Sequence, residues 1–355
     1  MARITFNNKQ SPFFKVIKEK VDHYFSQNQL HSAGNNKILL KGLLQLGSAI
    51  ALYLTLVFFT PHWFISLLLC GLLGFNMAII GFNIMHEGGH QSFSKHRWLN
   101  TVSAHFLNVL GGNAFFWKIK HNINHHTYTN LEGADADLDV KPWLRLHEDQ
   151  PRYWFHRFQH VYCLVLYGLS YVAWVFYLDF IRYFGVIAPG AEEIKLTRKD
   201  HFIFWFTKAA YLGVYLVVPI LMVGPVPALI GFFLIMVVCG LCISVVFQLA
   251  HIVEDTHFPI VDKESNKIPH EWAIHQVNTT ANFATNNKVI SWFLGGLNFQ
   301  VEHHLFPKVS HVHYPQISLL VKETCEEFNV KYIEYSSVLK AFQSHLLHIK
   351  KLGNS

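Results

Sequence analysis

The chain has 355 residues, 51% of them hydrophobic and only 15% charged, against about 25% charged in an average soluble domain. Its apolar residues come in long blocks rather than amphipathic stripes, which excludes an ordinary soluble globule and points to one integrated membrane unit. The formal charge is +6, no nucleic-acid partner is expected, and five scattered cysteines make no disulfide framework.

Residues 1–37 are polar and basic, with no cleavable signal peptide at the start. They read as a cytoplasmic N-terminal segment. Apolar runs at 38–60 and 64–85 are separated by Pro61-His62-Trp63. Each has the roughly 20 residues that a spanning helix needs, so together they predict a transmembrane hairpin. Residues 86–160 are the most polar part. A shorter apolar run at 161–177, rich in Tyr and Trp, leads into Asp179 and Arg182. Runs at 202–223 and 227–248 flank Gly224-Pro225-Val226-Pro227, a tight turn. Cys239 and Cys242 form a CxxC inside the last run and read as small packing residues. An amphipathic helix is expected near Ile317–Phe328, and 329–355 reads as a C-terminal cytoplasmic tail.

Three histidine clusters punctuate the polar regions. The first is His86-Glu87-Gly88-Gly89-His90 at the end of the second span. On a helix, residues four apart share a face, so both imidazoles point at one centre. Alone it also matches HExxH of zinc proteases, with Glu87 as the base. The second, His121-Asn122-Ile123-Asn124-His125-His126, repeats the four-residue spacing and adds a neighbour. In the third, Gln300-Val301-Glu302-His303-His304, positions 300, 303 and 304 share a face. A zinc site needs only three or four ligands. Seven imidazoles at helical spacing suggest two metal ions.

If the clusters serve one centre they lie on one side of the bilayer, so an even number of spans separates His126 from His303. Three apolar runs lie between them. The 161–177 run, shortest and most aromatic, is assigned as an interfacial helix that does not cross. The outer turns carry no Lys or Arg. The opposite face carries Lys9, Lys15, Lys18, Lys20, Lys37, Lys95, Arg97, Lys118, Lys120, Arg198, Lys199 and Lys308. The positive-inside rule then makes both termini and all the clusters cytoplasmic. The expected fold is an all-α integral membrane protein: four transmembrane helices in two hairpins, under a cytoplasmic helical cap.

The boxes HEGGH, HNINHH and QVEHH, in the contexts FWKIKHNINHHTYTN and GGLNFQVEHHLFP, resemble the membrane fatty acid desaturases. Gln300, in place of the first His of the third box, is similar to the front-end branch. That branch inserts a double bond between an existing one and the carboxyl end of an acyl chain. The resemblance covers 38–328 as a desaturase domain. It implies two iron ions, O2 as co-substrate, and an acyl-CoA or membrane lipid as substrate. It also nominates His251, in FQLAHIVED, as a further ligand. The expected metal residues are therefore His86, His90, His121, His125, His126, His251, Gln300, His303 and His304. Glu87, Asp135 and Asp139 are candidates to orient ligating imidazoles through their other ring nitrogen. The resemblance departs in two places: Glu87 stands where many desaturases have Asp, and no HPGG motif of a fused cytochrome b5 occurs. Electrons are expected from a separate ferredoxin or cytochrome b5, drawn to the basic face.

His257, His270 and His275 are expected at the surface or behind the ligands, and His311 and His313 near the interface. DADLD lacks the glycine and terminal glutamate of a calcium loop. The competing readings are a lipid hydroxylase on the same metal scaffold, an intramembrane zinc protease, and a histidine-rich metal transporter.

Overall fold

The computed structural model describes residues 4–8, 11–137, 139–185, 196–262 and 264–355. Lys9, counted above with the basic face, lies outside them.

Among the described residues, five helices are long and apolar enough to cross a membrane: α2 (Asn36–Phe59), α3 (Trp63–Gly89), α6 (Trp154–Tyr183), α7 (Arg198–Val223) and α8 (Pro225–His251). Around them lie α1 (Phe13–Gln27), α4 (Arg97–Val109), α5 (114–128), α9 (Trp272–Thr279), α10 (Lys288–Leu294), α11 (Gln300–Leu305), α12 (Tyr314–Glu327) and α13 (Val338–Asn354). The outward faces of the long helices show Leu43, Leu44, Phe59, Leu68, Phe206 and Leu221 uncovered. Apolar surface of that extent is what a bilayer buries. The protein is a membrane protein.

Local chemistry sets the helix ends. Asn35 accepts the Lys37 N–H at 3.0 Å and starts α2. The Thr197–Asp200 capping box starts α7. Gly224, at φ 88°, turns the chain between α7 and α8, a conformation open to glycine, and Pro225 then opens α8.

One boundary differs from expectation. The apolar run at 161–177 is the middle of the longer α6. Hydropathy placed the ends at polar residues, but those residues are buried and partnered. Gln159 donates to the Ile349 carbonyl at 2.6 Å, and Asp179 meets Lys208 Nζ at 2.9 Å. α6 lies antiparallel to α8, with Phe176 beside Phe232 and Tyr167 beside the His345 that bonds Ile252. At their crossing, a Cβ on Gly240 would fall 2.6 Å from the Gly168 carbonyl, the close approach that small residues permit.

Two cores result. Residues of α2, α3, α6 and α8 share one, including Met77, Tyr171 and Met236. The other forms a separate layer from α1, α9, α11 and α12, with Phe13, Ile17 and Val21 against Ile317 and Val321. In α12 the buried Ile317, Val321 and Cys325 recur every fourth residue, the amphipathic pattern read from sequence. Residues 329–355, expected as a tail, instead pack into the body. β4 (Glu334–Tyr335) pairs in parallel with β3 (Asn282–Phe283), and α13 buries Ala341, His345 and Ile349. β1 (Thr5–Phe6) pairs likewise with β2 (Lys267–Ile268).

Candidate metal centre

The three clusters meet where the two cores adjoin. Box one closes α3 after a π-helical turn over Gly81–Met85. Box two lies in α5, where Lys118–His125 is π-helical. Such widened turns occur often at functional sites. Box three is α11, and His251 is the last residue of α8. All eight imidazoles gather. The ring nitrogens of His86, His90, His121 and His303 lie within 4.8 Å of one another, as do those of His125, His251 and His304, and those of His126, His303 and His304. Box two is thus divided between neighbouring groups, with His126 beside both residues of box three. Trp117 stacks on His121 at 4.6 Å and also meets His86 and His90. It walls one side.

The second nitrogen of several rings is held from behind. His125 Nδ1 donates to Asp135 Oδ2 at 3.0 Å. His304 Nδ1 donates to Gln276 Oε1 at 2.8 Å, and His251 Nδ1 to the Thr279 carbonyl at 3.3 Å. His303 Nδ1 stands 3.2 Å from the Tyr314 hydroxyl. An Nδ1–H so engaged leaves a lone pair on Nε2. The Nε2 atoms of His90, His125, His303 and His304 are buried without a protein partner. Buried polar atoms are rarely left so, and imidazole nitrogens facing one point fit metal ions. Burial, reinforced by neighbouring imidazoles, holds His90, His121, His126, His303 and His304 well below the ordinary imidazole range. They are neutral at pH 7, as ligands must be. Burial also acts on His125, but the charge and hydrogen bond of Asp135 outweigh it and raise that ring.

The remaining candidates separate. Gln300 is buried in the same helix, and its amide N–H donates to the Leu297 carbonyl at 2.8 Å. Asp139 points outward toward Lys141 at 3.4 Å. Glu87 turns away from its flanking histidines: it accepts from the His311 backbone and Nδ1, both at 3.0 Å, and from Ser310 Oγ at 2.8 Å. A carboxylate tied in this way anchors box one to the 310–311 turn; it does not face the imidazoles as a protease base would. Glu302 likewise faces away, toward Asn282 and Tyr332, and burial pushes its carboxyl up to about 7. His257 and His270 are exposed, while His275 is buried against Phe6. Sequence spacing missed the supports Gln276, Thr279 and Tyr314. Their only signal was polarity at positions helical periodicity would bury.

A model of the fatty acid desaturase family matches residues 35–336. The chain belongs to the fatty acid desaturase family. Desaturases are oxidoreductases, and this chain is one of them. It is 34% identical to an sn-1 linoleoyl-lipid 6-desaturase of Arthrospira platensis, over 99% of this chain and 95% of that one. It is also 34% identical to the sn-1 linoleoyl-lipid 6-desaturase of Synechocystis sp., over 99% and 98%. An acyl-lipid (8-3)-desaturase of Physcomitrium patens is 35% identical over 96% of this chain and 72% of its own length. The histidine groups of this desaturase are compatible with a metal site.

Proposed function

We propose that this desaturase places a double bond between an existing one and the carboxyl end of a lipid-linked acyl chain, at a front-end position such as delta-6 or delta-5. It uses O2 and two electrons from a separate donor. The convergence of eight imidazoles, seven buried and His121 half-buried, several with Nδ1 already engaged, carries the reading, and the names of the relatives agree with it. The proposed ligands are His86, His90, His121, His125, His126, His251, His303 and His304. Gln300 sits beside them with only its amide oxygen left to offer. Two iron ions held there would supply the oxidising power for an unactivated methylene C–H, which side chains lack. The protein's own part is to orient and to exclude. Asp135, Gln276 and Thr279 fix the tautomers of their histidines, Trp117 closes the flank, and the enclosing cores keep bulk water from the reacting carbon.

Four spans, α2, α3, α7 and α8, are proposed to cross. α6 is proposed not to cross, because an even number of crossings must separate His126 from His303 if all boxes serve one centre. Its first turns pack with α13, which bonds Ile252 at the inner end of α8. Its last turn packs with the start of α7, through Tyr183 against His201 and Phe204. With four crossings, the three boxes, the basic residues and the site share the cytoplasmic face. A ferredoxin or cytochrome b5 is the proposed donor.

The test is expression in a host fed linoleic acid, with mapping of new double bonds and metal analysis. We expect a front-end double bond, about two irons per chain as in two-metal sites, and no product from His303→Ala. A hydroxylated product would instead identify a lipid hydroxylase, and zinc in place of iron would reject the desaturase chemistry.

A further inference from the structure

Among the described residues, one buried lysine of the membrane-spanning helices has no carboxylate in direct contact, the Glu87 charge reaching it only from beyond His311. Lys41, on the buried face of α2, is 7% exposed, and among the described residues it forms no ion pair with a carboxylate. Its Nζ lies 3.4 Å from His311 Nε2 and 5.0 Å from the centroid of Trp292. His311 gives its Nδ1–H to Glu87, which leaves Nε2 as the ring atom that faces Lys41. That accounts for one of three N–H groups, and the Trp292 ring faces another. One turn further along the same face is Gln45, only 4% exposed, whose amide nitrogen and oxygen are both buried without a partner. An ionisable group and an unpaired amide inside a membrane protein are costly, and such groups mark places where a polar ligand binds or passes.

The position is also informative. Glu87, which holds His311, follows His86 of box one directly. Tyr314, three residues beyond His311, touches His303. Two hydrogen bonds, Lys41–His311 and His311–Glu87, therefore link Lys41 to the residue that follows His86 of box one. Trp292, on the short helix α10, is 43% exposed, so the place is flanked by a side chain that reaches the surface at the height of the span end. An enzyme that counts from the carboxyl end must hold that end a few bonds from the carbon it oxidises. A buried N–H donor set at that remove from the histidines meets this requirement.

We propose that Lys41, oriented by His311 and assisted by Gln45, donates to the carbonyl oxygen of the acyl group and so sets which carbon reaches the metal centre. The inference rests on the front-end reading above. The ligand chemistry is an acyl carbonyl; it could arrive as a glycerolipid ester or as an acyl thioester.

The test uses the full chain with its metal, supplied in separate arms with linoleate esterified in phosphatidylcholine and with linoleoyl-CoA. The variants are Lys41→Met, Lys41→Arg and Gln45→Leu, each checked for wild-type metal content. Lys41→Met is expected to raise KM about tenfold, the scale of one charge-assisted hydrogen bond, in whichever arm wild type uses, and to spread the new double bond over neighbouring positions. Lys41→Arg should keep the wild-type position. Gln45→Leu should shift KM in the same direction by less. A merely structural lysine would lower yield without moving the double bond. If Lys41→Met fails to accumulate, Gln45→Leu decides. The inference is overturned if the variants that accumulate with intact metal make the wild-type double bond at the wild-type KM. Wild type making no double bond at all would instead overturn the front-end reading.

Discussion

An imidazole can present either nitrogen, and what selects one here is the acceptor behind the other. Asp135 does this for His125 from a loop ten residues on, at 3.0 Å. Asp135→Ala should therefore lower metal affinity or turnover by roughly 10–100-fold, the usual effect of losing such a support; iron per purified chain and product per iron would measure it. Wild-type iron and turnover would show that the bond is dispensable. The buried rings also set a pH limit. His90, His121, His126, His303 and His304 are depressed in the folded protein, whereas in the unfolded chain they take up protons near about 6.5. Below that value the unfolded state binds more protons, so the contribution of these rings to stability is present above it and declines as pH falls. The raised His125 works in the opposite sense, but it is one ring against five. Melting temperature and retained iron should both drop between about pH 7 and pH 5. A melting temperature that rose over this interval would contradict the burial of neutral rings. The histidines were legible by spacing alone. Gln276 and Thr279 were not, because each supports a ring that sequence does not place near it.

At the scale of elements, the glycines of HEGGH are explained by close packing. A Cβ at Gly88 would fall 2.6 Å from the Ala104 nitrogen and 2.8 Å from the Asn100 carbonyl, and one at Gly89 would fall 2.3 Å from Trp117. The helix carrying box one is thus pressed against α4 and against the aromatic wall. Backbone cannot yield as a side-chain tip can. Gly88→Ala should destabilise by about 1–3 kcal/mol, as overpacking does, and should cost iron because His86 and His90 shift with the helix. A thermal melt in detergent checks this, with an unchanged midpoint as the contrary result. The spans were readable from hydropathy, and so were the turns at Pro61 and Gly224. The limits of α6 were not: hydropathy treats Gln159 and Asp179 as surface residues, whereas tertiary partners bury both.

Across the whole molecule, the membrane layer carries the spans and the second layer closes over the histidines. The proposed topology makes a direct prediction. Reporters fused after Ser355 and inserted at the 196–197 segment between α6 and α7 should both respond as cytoplasmic, as a non-crossing α6 requires. A reporter at 196–197 responding from the opposite side to one after Ser355 would make α6 a fifth span. α13 adds a constraint that the term tail did not convey. His345 bridges Tyr167 of α6 and the Ile252 carbonyl at 2.8 and 2.7 Å, so the last helix ties α6 to the end of α8.

By itself the sequence determined the medium, the number of long apolar runs, the histidines that cluster and the family they resemble, because these depend on composition and on helical periods only a few residues long. Tertiary structure decided how box two divides between neighbouring histidine groups and which carboxylate supports a ring. It assigned Asp135 that role, set Glu87 to anchor the 310–311 turn and turned Asp139 outward. Those outcomes depend on the direction in which a side chain leaves a helix already packed against others. A period of three or four residues carries no information about contacts made across two hundred.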